Sequence, residues 1–277
     1  MDIKKIIIAS SLAIALIPLN SLANVAGFQY DPTSSLSGSL ISHYKLEQSA
    51  SDIFGSNSGT LNGVTFSNAN GKVSGGAGFN GTSDYISITD NASLRPTGNA
   101  SLSFWAKTSN AAGAGVYPLI FQSYSQVTTV AGFEVMQSAG NSPNPQKLRF
   151  VVGRNTGFTQ GADYQEAFST NVINDGNWHH YVSVYNGSNL TVYTDGVAGT
   201  PVAYTNGIAY AATNYVRIGD GNLSGTEMNF FNGSIDELSF YGKALSSAEI
   251  MNLYRTGFGQ TMVIDGARNM KGLGARH

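Results

Sequence analysis

There is no cysteine anywhere in the 277 residues. That excludes disulfides, thiol nucleophiles and thiolate metal sites together. Charge is scarce too. Asp, Glu, Lys and Arg make up 12% of the chain, about half the share usual in soluble proteins. The net charge of -2 offers no electrostatic footprint for nucleic acid. Long apolar runs are also absent but for one, residues 6–19, which follows Lys4 and Lys5 and leads to Ser21, Leu22 and Ala23. A basic start, a short apolar core broken by Pro18 and a small-x-small end read as a signal peptide over 1–23, cleaved before Asn24, and not as a membrane span. Its removal takes away one acid and two bases, moving the charge from -2 to -3. The expected protein is therefore secreted, extracellular or periplasmic, with no membrane span after cleavage.

What the chain has in quantity is Gly (33), Tyr (14) and Phe (14), with many Ser, Thr and Asn, a composition for short strands and exposed turns. Strands are predicted over 39–47, 85–89, 101–107, 119–123, 132–136 and 147–152 from β-rich runs bounded by turn residues. Residues 153–167 read as a long loop. A hairpin is spelled out between 178 and 194. Two β-rich runs flank Asn186 and Gly187, residue types that accept the positive φ of a tight turn. On the first of these runs Trp178, His180, Val182 and Val184 share one face, and His179, Tyr181, Ser183 and Tyr185 the other. Aromatics on both faces predict a strand packed on one side and partly covered on the other. A helix follows Leu245. Ser246 and Glu249 form a capping box, Leu245 and Ile250 a hydrophobic staple, Ile250, Leu253 and Tyr254 an apolar stripe, and Gly257 an end.

Several of these segments, in order, resemble a known family. They are Gly78, Phe79, Asn80, Gly81 and Tyr85; Leu102 to Lys107; Asn177, Trp178, His179, His180 and Tyr181; Asp195 and Gly196; and Ser234, Ile235, Asp236, Glu237 and Leu238. The series is similar to a LamG/pentraxin-type module of the concanavalin A-like lectin/glucanase superfamily. The resemblance implies an all-β fold, a two-sheet antiparallel jelly-roll sandwich with one short C-terminal helix. It divides the chain into signal peptide 1–23, N-terminal extension 24–38, LamG-like domain 39–257 and C-terminal tail 258–277. A sandwich of this size is commonly one domain.

Hydrolases of that family carry a compact Glu-x-Asp-x-Glu strand, whose alternate carboxylates enter one cleft. Here Asp236 and Glu237 are adjacent, so on a strand they diverge. The remaining acids, including Glu134, Asp163, Glu166, Asp175, Asp195, Asp220 and Glu227, look scattered, and a non-enzymatic chain is expected. His179 and His180 diverge likewise, which argues against a shared transition metal. Calcium suits the oxygen-rich chemistry better. Asp52, Gly55, Asn57 and Gly59 resemble the family's N-terminal loop, and the resemblance implies a structural Ca²⁺ held by Asp52, Asn57 and Asp236, with a carbonyl of Gly55. The alternative is a turn satisfied by Asx hydrogen bonds. For a ligand, Trp105 and Trp178 read as core or near-core, whereas Tyr117, Tyr124, Tyr164, Tyr204, Tyr210 and Tyr215 fall in or beside loops.

Three functions fit. The first is an exported recognition module that binds a glycan or an extracellular surface protein. The second is a structural or adhesive surface protein that self-associates. The third is a polysaccharide-cleaving enzyme with an unusual acid pair.

Overall fold

The computed structural model describes residues 36–125, 129–212, 214–223 and 226–256. The signal segment 1–23, most of the 24–38 extension, Gly257 and the 258–277 tail lie outside them. In chain order the strands are β1 Leu40–Tyr44, β2 Gly59–Asn62, β3 Thr65–Ser67, β4 Gly76–Asn80, β5 Tyr85–Ile88, β6 Ala100–Lys107, β7 Leu119–Ser125, β8 Ala131–Gln137 and β9 Lys147–Arg154. They continue with β10 Tyr164–Val172, β11 His179–Tyr185, β12 Asn189–Thr194, β13 Val197–Ala198, β14 Val202–Ala203, β15 Tyr215–Ile218, β16 Gly221–Leu223, β17 Thr226–Met228 and β18 Asn232–Tyr241, ahead of helix α1, Ser247–Thr256.

Two antiparallel sheets result. A nine-stranded sheet runs β13-β12-β11-β6-β18-β4-β3, with β1 beside β18 and β14 beside β12. A seven-stranded sheet runs β10-β9-β8-β7-β15-β5-β2, and β16 and β17 form a separate hairpin. Strand alternation gives each sheet an apolar inner face. Phe104, Tyr181, Ile235 and Phe240 from one sheet and Phe121, Phe133, Phe150 and Ile218 from the other belong to one buried cluster. Phe240 meets Phe121 and Phe133 across the sandwich, both at 5.6 Å between ring centroids, within the 4.5–7 Å range of favourable aromatic pairs. The fold is the jelly-roll sandwich that the sequence implies.

The hairpin forms as expected, with Gly187 at φ 82° and the Asn186 side chain accepting from the amides of Ser188 and Asn189. Both faces of β11 are indeed occupied. Tyr181 and Tyr185 enter the core, while Val182 and Val184 pack with Leu245 and Ile250 under α1. The capping box closes through Ser246 N–H to Glu249 Oε2 (2.9 Å) and Glu249 N–H to Ser246 Oγ (3.4 Å).

The expected loop over 153–167 is a correction. Its second half begins β10, whose Tyr164 to Phe168 pair with β9. Tyr164, Gln165 and Glu166 alternate poorly by hydropathy because this edge strand shows polar side chains to solvent, so period-two patterning is faint. Tyr204 also differs from the reading. It is 3% exposed and part of the main core, its hydroxyl donating to the Asp163 carbonyl.

Candidate functional site

Asp52 sits in a cradle of backbone donors. Its Oδ1 accepts from the amides of His43 (3.0 Å), Phe54 (3.1 Å) and Gly55 (2.9 Å), and its Oδ2 from Asn57 (3.0 Å). Burial opposes ionisation, but these four donors hold the carboxyl below its usual range. Asn57 donates to Ser42 Oγ (2.7 Å), and its side-chain oxygen accepts from Ser93 and Asn91. Asp236 belongs to a different cradle. Its Oδ2 accepts from Lys72 and Val73, both at 2.8 Å, and its Oδ1 from the Glu237 amide at 2.9 Å. Burial nevertheless pushes Asp236 up to about 7. Among the described residues no bond joins Asp236 to Asp52 or Asn57, and no cluster of three His, Asp or Glu side chains is placed to hold an ion.

The neighbours of Asp236 diverge as the strand geometry requires. Glu237 has φ 50° at the bulge in β18 and reaches His43 Nε2 at 3.0 Å. His43, lone in the sequence, is thus placed between Glu237 and the Ser239 hydroxyl, 2.8 Å from its Nδ1. His179 and His180 also part company. His179 lies between Asp195 (2.7 Å) and Asp175 (3.0 Å), and although burial opposes it, these carboxylates raise its pKa. His180 is buried beside Ser103 Oγ (2.9 Å) and Trp105, and burial lowers it to about 3.

A different place has the makings of a binding site. The outer face of the seven-stranded sheet carries a row, polar but for Val151, that the register sets side by side: Glu166 opposite Val151, Val151 opposite Glu134, Glu134 opposite Gln122, and Gln122 opposite Arg217. One row along, Arg149 on β9 turns to Glu166, with Nε 2.6 Å and a terminal nitrogen 2.5 Å from Oε2. Its guanidinium lies 5.2 Å from the Tyr117 ring centroid. Burial works against its charge, but Glu166 and Glu134 raise the pKa of Arg149. Asn229 fixes the rim, its side chain accepting from the Tyr117 amide (3.3 Å) and its carbonyl from Leu119 (2.8 Å). Together Tyr117, Gln122, Glu134, Met136, Arg149 and Asn229 help to line a cleft of about 270 Å³.

At the floor of this cleft stands Glu134, 7% exposed. Among the described residues its carboxyl has no hydrogen-bond or ion-pair partner. Burial raises it to about 7, with Arg149 opposing and Glu166 adding to the rise. Glu134 and Glu166, scattered in the sequence, are therefore near neighbours on one face. Period-two spacing within each strand could have placed them outward, but only the pairing of β8, β9 and β10 brings them together. Of the six tyrosines expected in or beside loops, Tyr124, Tyr164 and Tyr215 stand on β7, β10 and β15; Tyr117 lines the cleft, and Tyr124 and Tyr164 pack beside it in one apolar cluster with Leu119 and Met136. A wider depression of about 500 Å³ lies over β3, β4 and β18, edged by Thr65, Asn70, Asn80 and Asn232. Its polar groups largely satisfy one another, the Asn80 side-chain oxygen accepting from the amides of Thr82, Ser83 and Asp84.

The comparisons agree with this architecture. The family described as the concanavalin A-like lectin/glucanases superfamily matches residues 80–251, and the chain belongs to it. Among solved structures it is similar to the binding domain of Paraclostridial Mosquitocidal Protein 1, at 15% identity and TM-score 0.62, covering 81% of this chain and 53% of that one. It is also similar to Domain 4 of AbnA, a GH43 extracellular arabinanase from Geobacillus stearothermophilus solved in complex with arabinotriose. There the identity is 19% and the TM-score 0.59, over 78% of this chain and 98% of that one. A third likeness is to the binding domain of botulinum neurotoxin DC in complex with SialylT, at 14% identity and TM-score 0.57, over 80% of this chain and 52% of that one. The chain thus spans about half the length of the toxin binding domains it matches. No curated protein matches. At such identities the likeness establishes the fold alone.

Proposed function

We propose that this is an exported, non-enzymatic recognition domain whose ligand is a glycan, taken up in the cleft on the outer face of the seven-stranded sheet. One observation supports it above the others. The cleft combines the Tyr117 ring, planar groups of Arg149, Gln122 and Asn229, and a buried carboxyl on Glu134 that no described residue meets with a hydrogen bond. Sugars are held by such a mixture of aromatic faces and a few placed polar groups. The binding domains with this fold lend the reading an analogy, with arabinotriose and SialylT as the ligands of two of them. Calorimetric titration with arabinotriose and a panel of neutral and sialylated oligosaccharides tests it. Saturable binding is expected, weakened at least tenfold by Tyr117→Ala, and silence across the panel would reject the assignment. Sugar release from the same panel would instead favour a hydrolase built on Glu134 and Glu166.

Self-association has one observation in its favour. Ile53 and Phe54 stand together on the Asp52 loop, 58% and 49% exposed. Sedimentation at high concentration, with Phe54→Ser as the control, decides whether that surface pairs. Structural calcium at Asp52, Asn57 and Asp236 is a separate proposal, because an ion shared by the three would displace amide donors now on both carboxylates. A melting temperature that falls on chelation, with the effect abolished in Asp236→Ala, supports calcium. A chelator without effect leaves the amide cradles as the whole explanation.

A further inference from the structure

We propose that Glu134 enters the complex as a neutral carboxylic acid that donates a hydrogen bond to an oxygen of an uncharged sugar, so that the cleft selects neutral glycans and releases them at alkaline pH. This rests on the glycan reading of the same cleft and adds to it the chemistry of the contact.

Charge disfavours an ionised Glu134. Facing Glu134 from β9 is Arg149, whose charge is matched by Glu166 of β10. From β15 comes Arg217, which has Asp220 at 3.9 Å. Tyr124 of β7 is buried, and burial raises its phenol well above the usual value; Tyr117 and Tyr164 pack in the same cluster, and Tyr85 lies under Arg217. Arg149 and Arg217 thus each already have an acid beside them. An ionised Glu134 would add an unbalanced negative charge at a site 7% exposed, and buried charge without a partner is costly.

Hydrogen bonding favours the neutral form as well. A neutral carboxyl carries one O–H donor, and no described residue accepts it. The hydroxyl and ring oxygens of a sugar are acceptors of the right kind. A uronate or sialate would bring a carboxylate into this half-closed cleft that neither Arg149 nor Arg217, each already paired with an acid, is free to balance. Burial places the Glu134 transition at about 7, so the donor is present in mild acid and lost above neutrality.

Calorimetry at pH 5.5, 7 and 8.5 tests this with arabinotriose and the neutral oligosaccharide that the panel ranks highest, each beside a sialylated counterpart. Wild-type affinity should fall roughly tenfold per pH unit above the transition, because one proton is lost on release. Glu134→Gln, whose amide donates at every pH, should hold its pH 5.5 affinity at pH 8.5. Glu134→Ala should bind weakly throughout, with circular dichroism confirming that both variants fold. Binding by the wild type that ignores pH, a Gln variant as weak as the Ala variant, or tighter binding of the sialylated sugar would each overturn the proposal while leaving the cleft a glycan site. Absence of binding by every sugar at every pH defeats the glycan reading itself.

Discussion

Glu134 and His179 are two titratable side chains with opposite consequences for stability. Burial raises the folded pKa of Glu134 from its ordinary 4.5 to about 7. The folded state therefore keeps a proton that the unfolded state loses, and stability falls as pH rises from 4.5 to 7. At about 1.4 kcal/mol per unit, the loss is on the order of 3 kcal/mol. Glu134→Gln should thus melt higher than the wild type by a margin that grows across this interval and is flat above it. Thermal melts at half-unit pH steps check this, and a constant margin would contradict the burial argument. His179 runs the other way. Asp175 and Asp195 raise it above 6.5 against the effect of burial, so its contribution is fully present below pH 6.5 and disappears as pH rises through the folded value. His179→Gln should be most destabilising near pH 6, and urea midpoints at pH 6 and 9 would show the gap close.

Among the elements, those specified by neighbours in sequence were the easiest to read. The hairpin at Asn186 and Gly187 and the capping box of Ser246 and Glu249 depend on residues two to three apart, and both form. At Gly187, φ 82° lies where a β-branched side chain is strained, so Gly187→Val should cost about 1–2 kcal/mol, seen as a lower urea midpoint. Ser246→Ala should cost about 1 kcal/mol by the same measure. The fold class was legible for a related reason, since alternation fixes which face of each strand is buried. The cleft was not. Glu134, Arg149 and Glu166 lie on three strands, and nothing in their spacing states that β8, β9 and β10 are adjacent. β10 itself carries little strand signal, because an edge strand with a solvated face loses the apolar alternation that marks a strand.

For the molecule as a whole, the segment over 1–23 carries its own expectation. N-terminal sequencing of exported material should find Asn24 first, and a retained Met1 would refute the cleavage site. β18 bears on the same subject from the other end of the chain. This late strand lies between β6 on one side and β4 and β1 on the other. Until about residue 241 has been synthesised, the nine-stranded sheet lacks its middle: β1 has no strand to pair with, and β4 and β6 each lack a neighbour. Pairings so distant in sequence are slow to form. A ribosome-bound chain cut short at Phe231 should accordingly remain protease-sensitive, whereas one extended past the helix should become resistant. On the expectation that residues 1–23 direct export, the order of strands would act as a timer: a chain still being made would stay loose enough to be threaded through a narrow translocation pore, and would tighten once β18 has arrived.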